Sequence, residues 1–351
     1  MSKTRLALDA MGGDNAPAIV IKGADLAKAK NPDLEFIFVG DNARIKPLLR
    51  RTQHLRTAEI LHTDNKVESD ENVSQAVRKG KETSMWKAIS LVSDKKCDAI
   101  VSAGNTGALM AMSKLQLRAM EGVNRPAIAT FLPTMRGEVC MLDLGANIEC
   151  DADNLVQFAI MGAAFSRSTR GISQPSIGLL NVGAEDQKGH DYLREAADIL
   201  ADERFGMNYA GFVEGNDITE GHTNVIVTDG FTGNVALKTA EGTAMLISSF
   251  LKQAFRSSLL AKIGYLLAAG AMKKMRNRLD PRAHNGAVFL GLNGIAVKSH
   301  GGTDELGFAN AIKVAADLVE HGFMPDVQQA IEKFTKVKEA QNQAEAEQDG
   351  Q

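Results

Sequence analysis

The chain has 351 residues, 44% hydrophobic and 24% charged, a balance that supplies a large buried core and excludes a disordered or fibrous protein. A net charge of -3 removes the electrostatic case for binding nucleic acid. Cys97, Cys140 and Cys150 lack CxxC spacing and are expected to be reduced, mostly buried thiols of a cytosolic protein; MSKTRLALDA leads into a strand pattern rather than a signal peptide, and no apolar run reaches the ~18 residues of a membrane span.

In chain order, the first predicted strand (6–10) runs into LALDAMGGDNAP (6–17). Asp9 closes the apolar run, and Gly12, Gly13, Asp14 and Asn15 follow. A plain turn accounts for the flexibility; a loop whose backbone approaches a small anion accounts for the polar tip as well. A helix (16–29) and strands 34–40 and 58–62 come next, then Arg78, Lys79 and Lys81, the pattern of a solvated helix face. Strand 99–103 ends in SAGNTG (102–107), which leads into ALMAM. Ser102, Gly104, Asn105, Thr106 and Gly107 give small residues, N–H groups and hydroxyls at a helix start, the arrangement by which helix N-termini hold phosphate.

Strands 127–132 and 139–144 and a helix at 151–166 follow. Strand 176–182 ends in NVGAEDQKG (181–189), where Asn181 and Gly183 shape a second anion-type turn and Lys188 offers a cation. A helix at 190–201 and strands 209–213 and 225–228 lead to TDGFTGN (228–234), with Asp229 and Asn234. SHGGTD (299–304) opens a late helix with His300 beside a glycine pair, and residues 336–351 are expected to be a disordered polar tail after one α/β domain spanning 1–335.

Short, nearly all-apolar strands separated by helices predict a largely parallel sheet covered on both faces. Ligands of such sheets sit at the carboxyl ends of strands, so the polar loops are expected to gather on one rim as the active site. There is no GxGxxG after the first strand, no P-loop, no HExxH and no GxSxG. The seven histidines show no pairing with cysteines or carboxylates at metal-ligand spacing, so neither metal nor cofactor is expected.

Residues 242–279 stand apart: they contain no Asp or Glu but do contain Lys252, Arg256, Lys262, Lys273, Lys274, Arg276 and Arg278, interleaved with Leu259, Leu260, Ile263, Leu266 and Leu267. A helical hairpin at about 245–280 is predicted, broken near Gly264 or residues 268–270. Such a basic amphipathic element suits an anionic membrane surface or an acidic partner, and equally a dimer or core hairpin with a solvated rim.

Taken together, LALDAMGGDNAP, KGKETSM, VSAGNTGALMA, LDLGANIEC, VTDGFTGNVALKTAEG and GLNGIAVKSHGGTD resemble the acyl-acyl-carrier-protein:phosphate acyltransferases, the PlsX family, with matches in order over nearly the whole chain. The resemblance implies a homodimeric three-layer α/β/α sandwich, related to phosphotransacetylases and to the isocitrate/isopropylmalate dehydrogenase group. It also implies reversible transfer of a long-chain fatty acyl group from acyl carrier protein to inorganic phosphate. The acyl phosphate would then pass to the membrane's glycerol-3-phosphate acyltransferase in bacterial phospholipid synthesis.

The residue types suit that chemistry. Phosphate needs little base, and a pantetheine thiol of pKa about 8.5 leaves readily, so positioning and oxyanion stabilisation are what remain to be supplied. Lys188, Asn105 and His300 are the expected catalytic residues, with Asn105, Thr106 and Lys188 holding phosphate. Asp9, Asp14 and Asn15 shape the loop or touch substrate, Gly12 and Gly13 admit it, and Asp229 and Asn234 line the same rim. The basic hairpin is expected to steer the acidic carrier protein or to rest on the inner face of the membrane. An acyl-CoA-dependent phosphotransacetylase and a non-catalytic membrane-surface scaffold are the alternatives.

Overall fold

The computed structural model describes residues 3–278, 280 and 282–349. Alternation along short strands is the local origin of the architecture. In β1 (Arg5–Asp9), Leu6 and Leu8 enter one buried apolar cluster while Ala7 enters another on the opposite face. The first part of the chain adds α1 (Ala18–Lys30), β2 (Glu35–Gly40), α2 (Asn42–Leu49), β3 (Glu59–His62), α3 (Val73–Lys79), α4 (Ser84–Ser93), β4 (Ala99–Ser102) and α5 (Thr106–Leu117). Then come β5 (Ala127–Thr134), β6 (Gly137–Leu142), α6 (Ala152–Arg170), β7 (Ile177–Leu180), α7 (Asp191–Ala201), β8 (Tyr209–Val213), α8 (Asp217–Glu220) and β9 (Val225–Val227). The last part supplies α9 (Gly230–Arg256), α10 (Leu259–Arg278), β10 (Ala287–Leu290), β11 (Ile295–Lys298), α11 (Glu305–Glu320) and α12 (Phe323–Asp349).

All strands join one sheet in the order β3-β2-β1-β4-β11-β10-β5-β6-β9-β7-β8. Helices α1, α2, α6, α7, α11 and α12 cover one face and α3, α4 and α5 the other, giving the three layers expected. The nine predicted strands are all present. Two more, β10 and β11, were not anticipated; they are four-residue pieces, AVFL and IAVK, too short to register as periodic runs, yet they occupy the centre of the sheet.

These two strands change where the loops go. Strands β1, β2, β3, β4 and β11 run one way, whereas β10 is antiparallel to both β11 and β5, and β5 is antiparallel to β6. Strands β6, β9, β7 and β8 therefore run opposite to the first half. The expectation of a single rim fails for this reason: the loops after β1, β4 and β11 lie on one edge, and those after β6, β7 and β9 on the other.

The hairpin is longer than predicted and turns elsewhere. Helix α9 starts at the sheet, capped by Asp229 accepting from the Thr232 N–H at 2.8 Å, and runs unbroken to Arg256. The turn is at Ser257 and Ser258, whose hydroxyls satisfy helix-end groups: Ser257 Oγ donates to the Ala254 carbonyl and Ser258 Oγ accepts from the Ala261 N–H. Gly264 and Gly270 sit inside α10 facing open space. The stretch 336–351, expected to be disordered, continues α12 to Asp349; Leu279, Gly350 and Gln351 lie outside the described residues. Cys97 and Cys140 are buried and Cys150 half-buried, all free, with burial pushing each thiol up to about 12.

Candidate active site

Strand register builds the site. Leu8 lies opposite Val101, and Lys298 opposite Ser102, so Asp9, Ser102 and Lys298 form a row across β1, β4 and β11. Leu8, Val101 and Val297 enter the α1 and α11 side of the core, so by alternation the three polar residues face the α3, α4 and α5 layer. From that layer Ser84, the first residue of α4, donates to Asp9 Oδ1 at 2.6 Å. Ser102 Oγ donates to Asp9 Oδ2 at 2.6 Å and accepts from the Gly104 N–H at 3.0 Å. The Met11 N–H, 3.3 Å away, is a further donor to Asp9. Burial pushes the Asp9 carboxyl above the usual carboxylate range, against the pull of the two hydroxyls and these amides.

Above this row lies a cleft of about 190 Å³, lined among others by Gly13, Asp14, Glu68, Gly104, Thr106 and Lys298. It opens at the N-terminus of α5, where a helix presents N–H groups and positive potential. Gly12 is required by packing rather than by substrate approach. A Cβ there would lie 2.6 Å from Asp9 Oδ2 and 2.7 Å from the Gly104 nitrogen, because the β1 and β4 loops press together. Gly13 has φ +98°, with Ala103 and the Gly301 carbonyl close by, and Gly301 O accepts from the Asp14 N–H at 3.0 Å.

Asn105 stands at the cleft, but its amide is spent on structure. Oδ1 caps α5 by accepting from the Ala108 N–H, and Nδ2 donates to the carbonyls of Ser69 and Glu71. Thr106, Gly107, Asp14 and Asn15 are at the same loops, with Thr106, Asp14 and Asn15 exposed. His300 is exposed on the neighbouring loop, its Nδ1 accepting from the Gly302 N–H at 3.2 Å.

The remaining expected residues are at the other edge. Asn181 is buried in its own turn, donating to the Lys188 carbonyl at 3.0 Å and accepting from the Val182 N–H at 2.8 Å. Gly183 leaves room for the Lys188 side chain, which is exposed and pairs with Glu185 at 2.9 Å. Asp229 caps α9 and Asn234 is exposed on its first turn, beside Gly145. Asp229 and Asn234 thus sit at the root of the helical arm.

Sequence reasoning missed Lys298 and Ser84. Lys298 is only 8% exposed, and burial lowers its amine to about 8 against the opposing pull of Asp9 and Asp14. The one available signal was a lysine closing the apolar run IAV just before SHGG. Sequence spacing showed no metal-ligand set, but the fold brings ligand atoms of Asp41, His62 and Asp64 within 4.8 Å of one another, on the surface and outside the cleft lining.

This architecture defines a class. A phosphotransacetylase from Streptococcus pyogenes superposes with a TM-score of 0.62 at 18% identity, covering 91% of this chain and 94% of its own. A 4-hydroxythreonine-4-phosphate dehydrogenase from Klebsiella pneumoniae does so with 0.53 at 15%, covering 91% and 98%. At sequence level, the fatty acid synthesis protein family matches residues 4–325. Proteins named phosphate acyltransferase are 56% identical in Rhodospirillum centenum, over 95% of each chain, and 50% identical in Caulobacter vibrioides, over 94% of this chain and 92% of that one. The chain belongs to the fatty acid synthesis protein family, as the loop motifs implied, and is an acyltransferase.

Proposed function

We propose that the protein transfers a long-chain fatty acyl group reversibly from acyl carrier protein to inorganic phosphate, giving acyl phosphate for the first step of bacterial phospholipid synthesis. The observation that carries this reading is the polar cleft of about 190 Å³ at the start of α5, which has the size and donors for a phosphate and holds a buried lysine. A phosphate oxygen attacks the thioester carbonyl there, the C–S bond breaks, and the phosphate's proton ends on the released thiol. Close positioning and N–H groups aimed at the developing oxyanion supply the rate.

The carrier protein is acidic, and the arm offers Lys252, Arg256, Lys262, Lys273 and Lys274. The arm's apolar residues are bare: Leu260 is 81% exposed and Leu267 86%, with Leu259, Ile263 and Leu266 also open. That combination supports peripheral association with the inner face of the membrane, beside the glycerol-3-phosphate acyltransferase that would take the product. Among the described residues no helix is long and apolar enough to cross a membrane. A Leu260→Glu/Leu266→Glu variant is expected to stop floating with anionic liposomes; unchanged flotation removes the membrane role.

A homodimer gives the two loop sets a way to meet. Strands of four to six residues hold the sheet edges ~13–20 Å apart, too far for Lys188, Asp229 and Asn234 to share one phosphate with the β1 and β4 loops of the same copy. Co-expressing Lys188→Ala with Lys298→Met is then expected to give more activity than either variant gives alone; no recovery removes the shared site.

The decisive assay incubates purified protein and radiolabelled phosphate with palmitoyl-acyl carrier protein or palmitoyl-CoA. Labelled, hydroxylamine-sensitive acyl phosphate from the carrier-protein donor is expected. Product from the CoA ester alone reassigns the donor, and none from either overturns the reading.

A further inference from the structure

We propose that Lys298 is the residue that binds the phosphate anion in the cleft, as a buried cation that enters no ion pair among the described residues. The inference rests on the phosphate acyltransferase reading and assigns within it a residue the loop motifs did not single out.

Buried ammonium groups are rare unless paired, because removing the charge from water is costly. Lys298 is the one buried Lys or Arg among the described residues, yet none of the ion pairs among them includes it. Its Nζ donates to the Ser299 carbonyl and lies 3.5 Å from that of Ala103, neutral acceptors that hold the side chain without cancelling its charge. The nearest acid in the row, Asp9, already receives two hydroxyls and backbone N–H groups, and burial favours its neutral form. Lys298 nonetheless lines the cleft, together with Gly104, Asn105 and Thr106 at the start of α5. A dianion there completes the ion pair and meets the helix terminus at the same time.

The charged groups facing Lys298 are Asp9 from β1, Asp14 from the following loop, and Lys66 and Glu68 across the cleft; Lys66 and Glu68 pair with each other at 2.8 Å, and His300 follows on the same loop. Burial lowers the amine to about 8. Phosphate binds more tightly when Lys298 carries its proton, so affinity falls by up to about tenfold per pH unit above that value until the amine of the complex also loses its proton. Phosphate is already dianionic in that range, so its own ionisation does not produce the fall.

The test is calorimetric titration of the full-length protein with inorganic phosphate from pH 6.5 to 9.5, alongside acyl phosphate formation. Lys298→Met is expected to weaken phosphate binding about tenfold or more at pH 7, the worth of one charge-assisted hydrogen bond, and to raise the KM for phosphate more than that for the acyl donor. Lys298→Arg keeps the charge and is expected to bind with a flat pH profile, while His300→Gln retains the alkaline fall. If Lys298→Met does not fold, the Lys298→Arg profile decides. Wild-type affinity in Lys298→Met, or an alkaline fall that persists in Lys298→Arg, overturns the assignment. Lys298-dependent phosphate binding in a protein that makes no acyl phosphate instead sinks the functional reading and leaves this one standing.

Discussion

Replacing Gly12 with alanine tests the claim that the β1 and β4 loops are locked together. The added Cβ lies 2.6 Å from Asp9 Oδ2, 2.7 Å from the Gly104 nitrogen and 3.0 Å from Ser102 Oγ. Of these, the Gly104 nitrogen is backbone at the start of the α5 loop and cannot swing away, so the loops must separate by several tenths of an ångström. That shift strains the Ser102 to Asp9 bond of 2.6 Å and the Gly104 to Ser102 bond of 3.0 Å. Overpacking costs about 1–3 kcal/mol and a weakened hydrogen bond to a carboxylate about 1.5 more, so about 3 kcal/mol in all is expected. At ~2 °C per kcal/mol for a chain this large, Tm should fall by about 6 °C. A shift of about 1 Å in a site costs about 10²-fold, so a separation of several tenths of an ångström should cost about tenfold in kcat/KM. The matched control is Gly270→Ala, inside α10 with nothing near its Cβ, which should gain about 0.5–1 kcal/mol from helix propensity. Differential scanning calorimetry and initial rates report both. Wild-type Tm and activity in Gly12→Ala would refute the packing argument.

Lys188→Ala removes an exposed, solvent-screened pair, so its Tm should stay within about 2 °C of wild type, and a tenfold or greater loss of kcat/KM would place Lys188 in the chemistry. Unchanged kinetics would remove it. Asp9→Asn keeps one acceptor but aims an amide donor at a hydroxyl, costing about 1–3 kcal/mol in chemical denaturation. It should also flatten one part of the pH profile. A carboxyl raised in the folded state stabilises the fold at low pH, and that stability is lost as pH climbs from about 4 toward the raised value. The wild type should show this loss and the variant should not; identical profiles would mean Asp9 is not perturbed.

Residues whose role is local were legible in the sequence. Asp9, Ser102 and Gly104 were found because a polar break after an apolar strand marks its carboxyl end. Lys298 was not, because its meaning depends on β11 pairing with β4, a contact between segments nearly 200 residues apart. The same omission produced the single-rim error: without β10 and β11, nothing in the pattern says that the second half of the sheet runs backwards. The turn of the arm was misplaced because two glycines outweighed two serines, although the Ser257 and Ser258 hydroxyls bond to helix-end groups and a glycine has no side chain to do so.

The central position of β10 and β11 also bears on synthesis. Until residue 298 leaves the ribosome, the nascent chain holds two half-sheets with open edges at β4 and β5 and no strand to bridge them. Those edges carry unpaired N–H and carbonyl groups on apolar strands, the features that draw chains into aggregates. Completion of the sheet is therefore a late event, closed by the hairpin that also brings Lys298 beside Ser102. The cleft beside Lys298 and the finished sheet arrive together, so chains truncated before residue 287 lack both, and exposed strand edges make such chains candidates for chaperones that shield them during translation.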